Sequence, residues 1–347
     1  MHDVRGRDPH PPDPAGRAPP SPAVRERGSL LRRVPPALWL AVLLVLAALL
    51  FAILRGPVAV GQATLNGLVG AGYFALGAVG LTLVFGILRL VNFAHGDFLT
   101  VGAYVTLGVA AAGLPFWAAA VVGVIAMAAI ALLLDRIVWD PLRRAGTSTL
   151  QSFLVAIGLA LVLRYTVQFF AGSQVRRVGP DTISAIDIGP WHLGTLQLLA
   201  MLVGLAVIVL IGLALRFTRL GKEMRALSDN MALAEVTGID TRRTVRITWA
   251  VAGGLAALAG ILYAAAIGSI SPNFGVTILL SLFAAAILGG IGNAYGALAG
   301  GIVIGLSQEW ATLFFNPRWK PAVGFAILIL TLLVLPRGIF GRKRARA

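Results

Sequence analysis

Ten runs of apolar residues alternate with short polar joints along this chain. They cover residues 37–54, 59–88, 98–112, 115–134, 148–171, 194–215, 244–267, 277–291, 296–315 and 322–335. Most are close to the ~20 residues that cross ~30 Å of hydrocarbon at ~1.5 Å of rise per residue. The pattern predicts an all-α polytopic membrane protein with about ten crossing or half-crossing helices. The third and eighth runs are short, so half-helices or re-entrant segments are expected there. The first run follows Arg32 and Arg33 as the apolar part of a signal peptide would, but a long polar leader precedes it and it is about one span long. It reads as a retained helix.

The longest polar interruption, residues 216–246, is too ordered in pattern for a linker. Leu227, Met231, Ala234 and Val236 fall near one helical face, Asp229 suits an N-cap, and Gly238 suits a stop. A short amphipathic helix from Asp229 to Gly238, offered to something in the cytosol, is predicted.

Composition agrees with the pattern. Of 347 residues, 58% are hydrophobic and 12% charged, against about 25% charged in soluble domains, and mean hydropathy is +0.87. The formal charge of +15 invites a nucleic-acid partner until its placement is read. Seven Lys/Arg lie before residue 34, one at Arg89, three in 135–144, seven in 216–246 and five from Arg337 onward. With the N-terminus inside, ten crossings bring all of these to one face, and the C-terminus returns to it. This is the positive-inside signature of a membrane protein, not a nucleic-acid footprint. The domain reading is a disordered Pro/Arg-rich cytoplasmic tail over 1–36, a transmembrane domain over 37–336 carrying the cytoplasmic loop 216–246, and a basic cytoplasmic tail over 337–347. The polar external stretch between Phe170 and Gly194 is expected to hold a short surface element, a connector or part of a docking surface.

Candidate chemistry concentrates where polar groups interrupt apolar runs. Residues 85–104, FGILRLVNFAHGDFLTVGAY, place Asn92, His95 and Asp97 at membrane depth, where such groups are costly unless paired. Asp97 suits the cap of a helix starting at Phe98, so Asp97→Asn should be mild. Capping leaves Asn92 and His95 unexplained, and His95→Leu should impair function. The second run carries Asn66 and Tyr73 among glycines that can unwind to line a path or simply let helices approach. Gly292, Gly296 and Gly300 recur every fourth residue, a close helix seam within the chain or at a subunit boundary. Arg164 and Glu309, charged within apolar runs, are expected to snorkel from span ends or to pair with each other.

No G-x-x-x-x-G-K-[ST] occurs, since Gly221-Lys222 is followed by Glu223; H-E-x-x-H and G-x-S-x-G are also missing, as is cysteine. No catalytic residue, no metal site and no cofactor of its own are therefore expected, and an enzyme is not the reading.

Residues 90–104 (LVNFAHGDFLTVGAY), 221–240 (GKEMRALSDNMALAEVTGID), 286–305 (AILGGIGNAYGALAGGIVIG) and 334–342 (VLPRGIFGR) resemble branched-chain amino-acid ABC importer permeases of the LivH type. Asp97 stands where that family more usually has Glu. The resemblance implies import of branched-chain amino acids, or of urea, short amides or sugars carried by related permeases, across the plasma (inner) membrane of a prokaryote. It also implies an extracytoplasmic solute-binding protein, a paired permease subunit (a different chain or a second copy) and two ATPase subunits that bind the ATP. Gly238, with Asp229, Ala234 and Glu235, falls in the loop that contacts the ATPase in that family. A secondary transporter would need an intramembrane carboxylate site, for which Glu309 is the main candidate, and a passive channel would need no docking helix.

Overall fold

The structure, a computed structural model, describes residues 36–178 and 184–340. The tail expected over 1–36 lies, apart from its last residue, outside them, as do residues 341–347. Each apolar run is a helix: α1 (Pro36–Arg55), α2 (Pro57–Leu88), α3 (His95–Ala111), α4 (Phe116–Leu134), α6 (Thr149–Ala171), α7 (Thr195–Phe217), α10 (Thr241–Ile267), α11 (Phe274–Gly289), α12 (Ala294–Ala311) and α13 (Lys320–Val334). Short helices α5 (Asp140–Arg144), α8 (Arg219–Asp229) and α9 (Met231–Val236) lie between them. A π-helical turn, Asp135–Trp139, joins α4 to α5, so the fourth run continues beyond its expected end. Among the described residues seven helical segments are long and apolar enough to cross a membrane. The short third and eighth runs, α3 with 17 residues and α11 with 16, are not among them, and neither is α12 with 18.

Residues from Leu44 onward form one compact unit organised around α2. This helix is apolar on every side, which suits a central position, and every residue from Val69 to Val84 is buried. Helices α7, α10, α11 and α12 surround it; α10 also packs on α3 and α4, and α13 covers α11 and α12. Small residues set these contacts. A Cβ on Gly301 would lie 2.5 Å from the Cα of Ala75, and one on Gly305 as close to the Gly67 carbonyl, so α12 lies directly on the α2 backbone.

The expected helical row of Gly292, Gly296 and Gly300 needs correcting. Gly296 backs onto Gly289, and Gly300 meets Ala285 of α11, both within this chain. Gly292 precedes the helix in a turn, with φ 87. It is there because the α11–α12 connection needs a left-handed residue.

Between α6 and α7 the chain forms β1 (Arg176–Arg177), β2 (Ala185–Ile188) and β3 (Trp191–Gly194). β1 pairs antiparallel with β4 (Ser269–Ile270), and β2 pairs with β3 in the register Ile186 to Leu193. The hairpin is fastened to the start of α2. Trp191 Nε1 donates to the Val58 carbonyl at 3.1 Å, while Gln62 donates to the His192 carbonyl at 2.8 Å and accepts its N–H at 2.9 Å.

Candidate functional site

The first polar centre lies where α2 hands over to α3. Arg89 caps α2 in the left-handed conformation, φ 55, an uncommon state for a side-chain-bearing residue. Beyond the helix end the chain turns back along α2. His95, first residue of α3, sets Nε2 2.9 Å from the carbonyl of Gly77, eleven residues before the end of α2. Its ring also lies against the Cα side of Gly80. At ~1.5 Å per residue the Gly77 carbonyl lies about 16 Å back from the end of α2, so the link 89–94 and the His95 side chain together return along the helix. Non-helical backbone at such depth survives only when buried in protein, and Leu90, Asn92 and Ala94 are buried. Asn92 Oδ1 accepts the Ala94 N–H at 3.1 Å and closes the turn. Because a carbonyl only accepts, the hydrogen bond to Gly77 puts a proton on His95 Nε2.

Asp97 does not cap α3. The helix begins two residues earlier, at His95, with no side-chain cap, and the fully buried Asp97 faces α6. Arg164 donates to it through both arms, Nε to Oδ1 and Nη2 to Oδ2, each at 3.0 Å. The paired fork is the strongest geometry for guanidinium and carboxylate. This corrects two expectations together: Asp97 is an ion-pair partner, and Arg164 is tied inside the bundle. Glu309 pairs with Lys320 at 2.5 Å, joining α12 to the start of α13.

Asn66 and Tyr73 are not in this centre. Asn66 is near the start of α2 and accepts from Gln62 at 3.2 Å. Tyr73 is buried in an aromatic column, its ring 5.2 Å from that of Tyr263, which stacks on Phe274 at 5.2 Å.

The second centre is the loop from α7 to α10. Thr218 ends α7 and caps α8 by accepting the Gly221 N–H at 3.1 Å. Gly221 lies against the Leu215 backbone, and Arg225 donates to the Leu215 carbonyl, so α8 folds back on α7. Gly221, Met224 and Leu227 form its buried face. The single helix expected from Asp229 to Gly238 is divided. Asp229 is the last residue of α8, and Asn230, extended at φ −158, caps α9 by accepting the Leu233 N–H at 3.1 Å. An Asx side chain that caps the next helix competes with continuing the previous one, which is why the break falls here. Ala234 is buried, Glu235 is exposed, and Gly238 turns the chain at φ 86 before Asp240 caps α10. Val236 is not on the buried face. It is 86% exposed, and Leu233 is 60% exposed.

Sequence reasoning missed the pairing of Asp97 with Arg164 and the exposed Leu233–Val236 pair. The first was legible only as two costly charges lacking partners. Separating Leu233 and Val236 from the buried Ala234 requires knowing the break at Asn230. The closing motif also gains a role: the N–H groups of Ile339 and Phe340 bond the carbonyls of Leu288 and Gly289 at 2.8 and 3.3 Å, satisfying the end of α11. Among the described residues no group of three or more His, Cys, Asp or Glu is placed to hold a metal ion.

A family model described as the branched-chain amino acid transport system permease component matches residues 63–332. The high-affinity branched-chain amino acid transport system permease protein LivH of Escherichia coli is 31% identical over 300 residues, covering 81% of this chain and 95% of that one. BraD of Pseudomonas aeruginosa, named in the same terms, is 30% identical over 295 residues with the same coverage. The probable branched-chain amino acid transport permease protein LivH of Methanocaldococcus jannaschii is 29% identical, covering 76% of this chain and 87% of its own.

Proposed function

The chain belongs to the family of branched-chain amino acid transport system permease components, and from that premise we propose that it is the membrane-spanning subunit of an ABC importer for branched-chain amino acids. An extracytoplasmic binding protein delivers the solute, and two separate ATPase subunits, which bind the ATP, drive its passage. The observation that carries the reading is likeness along nearly the whole helical unit, residues 63–332, together with relatives named for this transport.

The same reading sets the topology. Ten helices, α3 and α11 among them, cross or half-cross the plasma membrane of a prokaryote with both termini cytoplasmic, and the lipid-facing shell is formed by apolar side chains such as those of α1 and α7. Residues 37–336 are the permease domain, flanked by cytoplasmic tails. A paired permease subunit completes the path, as a different chain or a second copy. The loop 216–246 carries the coupling, with Asp229, Ala234, Glu235 and Gly238 in it and Leu233 and Val236 as its outward contacts, since exposed apolar side chains on a short helix suit a partner groove. Asn92, His95 and Asp97 hold α3 in register beside the path.

The test is reconstitution. In proteoliposomes containing all subunits, leucine should accumulate with ATP and loaded binding protein, in preference to urea or ribose. Accumulation by this chain alone, driven by a proton or sodium gradient, would overturn the reading.

A further inference from the structure

A groove of 440 Å³ lies on α3, between α4 and α6. Val101, Val105 and Gly108 of α3 form its floor, with Ile130 of α4 on one side and Leu163 and Val167 of α6 on the other. It opens outward from the bundle, since Gly108, Ala111 and Thr166 in its lining are exposed. The open space reaches the backbone itself: a Cβ on Gly108 would meet nothing within 4 Å. From Val101 to Ala111 the floor runs about 15 Å at ~1.5 Å per residue, the depth of one leaflet of a ~30 Å hydrocarbon core.

The groove is largely apolar along its length and ends at a cation. Thr166 within it returns its hydroxyl to the Val162 carbonyl, so it presents little polarity to an occupant. Beyond the end of α6, Arg176 is the one charged residue of the lining. In the ten-crossing topology proposed above, this end is extracytoplasmic, where basic residues are uncommon. Arg55 and Lys320, on the same side, are engaged, one over the Phe314 ring and the other with Glu309. Arg176 uses one guanidinium donor on the Ala171 carbonyl and keeps four N–H groups. Among the described residues it forms no ion pair. Phe170, also in the lining and 80% exposed, sets an aromatic ring at the same level, as residues at a membrane interface do.

We propose that this groove is a phospholipid site: one acyl chain lies along α3 between α4 and α6, and the phosphate accepts from the remaining guanidinium N–H groups of Arg176. A lipid suits it better than a protein segment because the groove is one leaflet deep and its single charge stands at the interface end, which is the order of groups along a phospholipid. The bound chain fills space beside the contact of α3 with α6 that holds Asp97 against Arg164, so it stabilises that contact. The inference goes beyond import: it requires α3, α4 and α6 to lie in a bilayer and holds whatever solute is carried.

The experiment uses the full chain, purified in detergent and stripped of lipid. It is titrated with phosphatidylglycerol and, separately, with a diacylglycerol of the same chains, while native mass spectrometry counts bound lipid and the melting temperature is followed. One phosphatidylglycerol per chain should be retained at concentrations where diacylglycerol is not, and it should raise the melting temperature. Gly108→Leu, whose side chain enters the open space, should melt as the lipid-free parent does and lose this tight site. Arg176→Gln should weaken phosphatidylglycerol binding by about tenfold or more, the size of a hydrogen bond to a charged group, and leave the diacylglycerol result unchanged. Equal retention by the parent and Gly108→Leu, or equal retention of the two lipids by the parent, would overturn the inference. So would self-association of the parent that Gly108→Leu abolishes with no loss of lipid, which would make the groove a contact between copies. Should Gly108→Leu not fold, Arg176→Gln decides, and undiminished phosphatidylglycerol binding by it refutes the site. Nothing is transported in this test, so its failure and that of the importer reading are distinguishable.

Discussion

Two charges dominate at the residue scale because neither can be left alone. Asp97 and Arg164 each face a large desolvation cost, offset only by the two-armed contact between them. Removing one partner leaves the other buried, so Asp97→Ala should cost on the order of 3–5 kcal/mol. Asp97→Asn should not be mild, since it keeps the shape and loses the charge. Thermal melting of the purified protein checks this, with Arg164→Leu added to Asp97→Ala expected to recover most of the loss. A melting temperature unchanged in Asp97→Ala would mean that the pair carries no stability. The position of these residues could be read from the sequence as polar groups at membrane depth. Their partners could not, because Asp97 and Arg164 are 67 residues apart and only the packing of α3 on α6 brings them together. His95 illustrates the same limit: its contact with Gly77 depends on the link 89–94 folding back along α2.

Helix existence was legible at the element scale because long apolar runs bounded by glycines and charges leave little alternative. Boundaries set by a single side chain were less so. Asn230 breaks the loop 216–246 into α8 and α9 by capping the second, and Asn230→Ala should cost about 1 kcal/mol of local stability. Faster amide hydrogen exchange in residues 231–237, with the rest of the chain unchanged, is the expected readout; unchanged exchange there would deny the cap its role. The glycine seam makes a sharper distinction than the fourfold spacing implied. Gly300→Val should yield no folded protein, because the side chain would enter the Ala285 backbone. Gly292→Ala, in a turn with its nearest neighbour 3.6 Å away, should fold with a penalty of about 1–2 kcal/mol from its positive φ. Equal yields of the two variants in size-exclusion profiles would contradict this assignment.

At the scale of the whole molecule, a buried α2 is clasped by α10 and α12, and the loop of α8 and α9 is held to the bundle through α8. Arg225 ties α8 to α7, and Arg89 at the end of α2 reaches the Ser228 carbonyl at 3.2 Å. Thr244 of α10 also donates to Glu223 of α8 at 3.3 Å, so α8 is in contact with α2, α7 and α10. The general plan of apolar helices and a basic loop could be read from hydropathy and charge. The direction in which that loop presents its surface could not, because Ala234 and Val236 are two residues apart yet lie on opposite sides of α9. Ala234→Glu would disturb the loop itself, so it is a poor probe of docking. Val236→Asp changes only an exposed side chain and separates the two effects. The decisive measurement is ATP hydrolysis and leucine uptake by the reconstituted transporter carrying Val236→Asp, alongside its melting temperature and recovery of ATPase subunits. Hydrolysis stimulated by loaded binding protein and uptake should fall together by at least tenfold, with ATPase recovery reduced and melting within a degree or so of the parent. Parental uptake with undiminished ATPase recovery would contradict the coupling role of this loop.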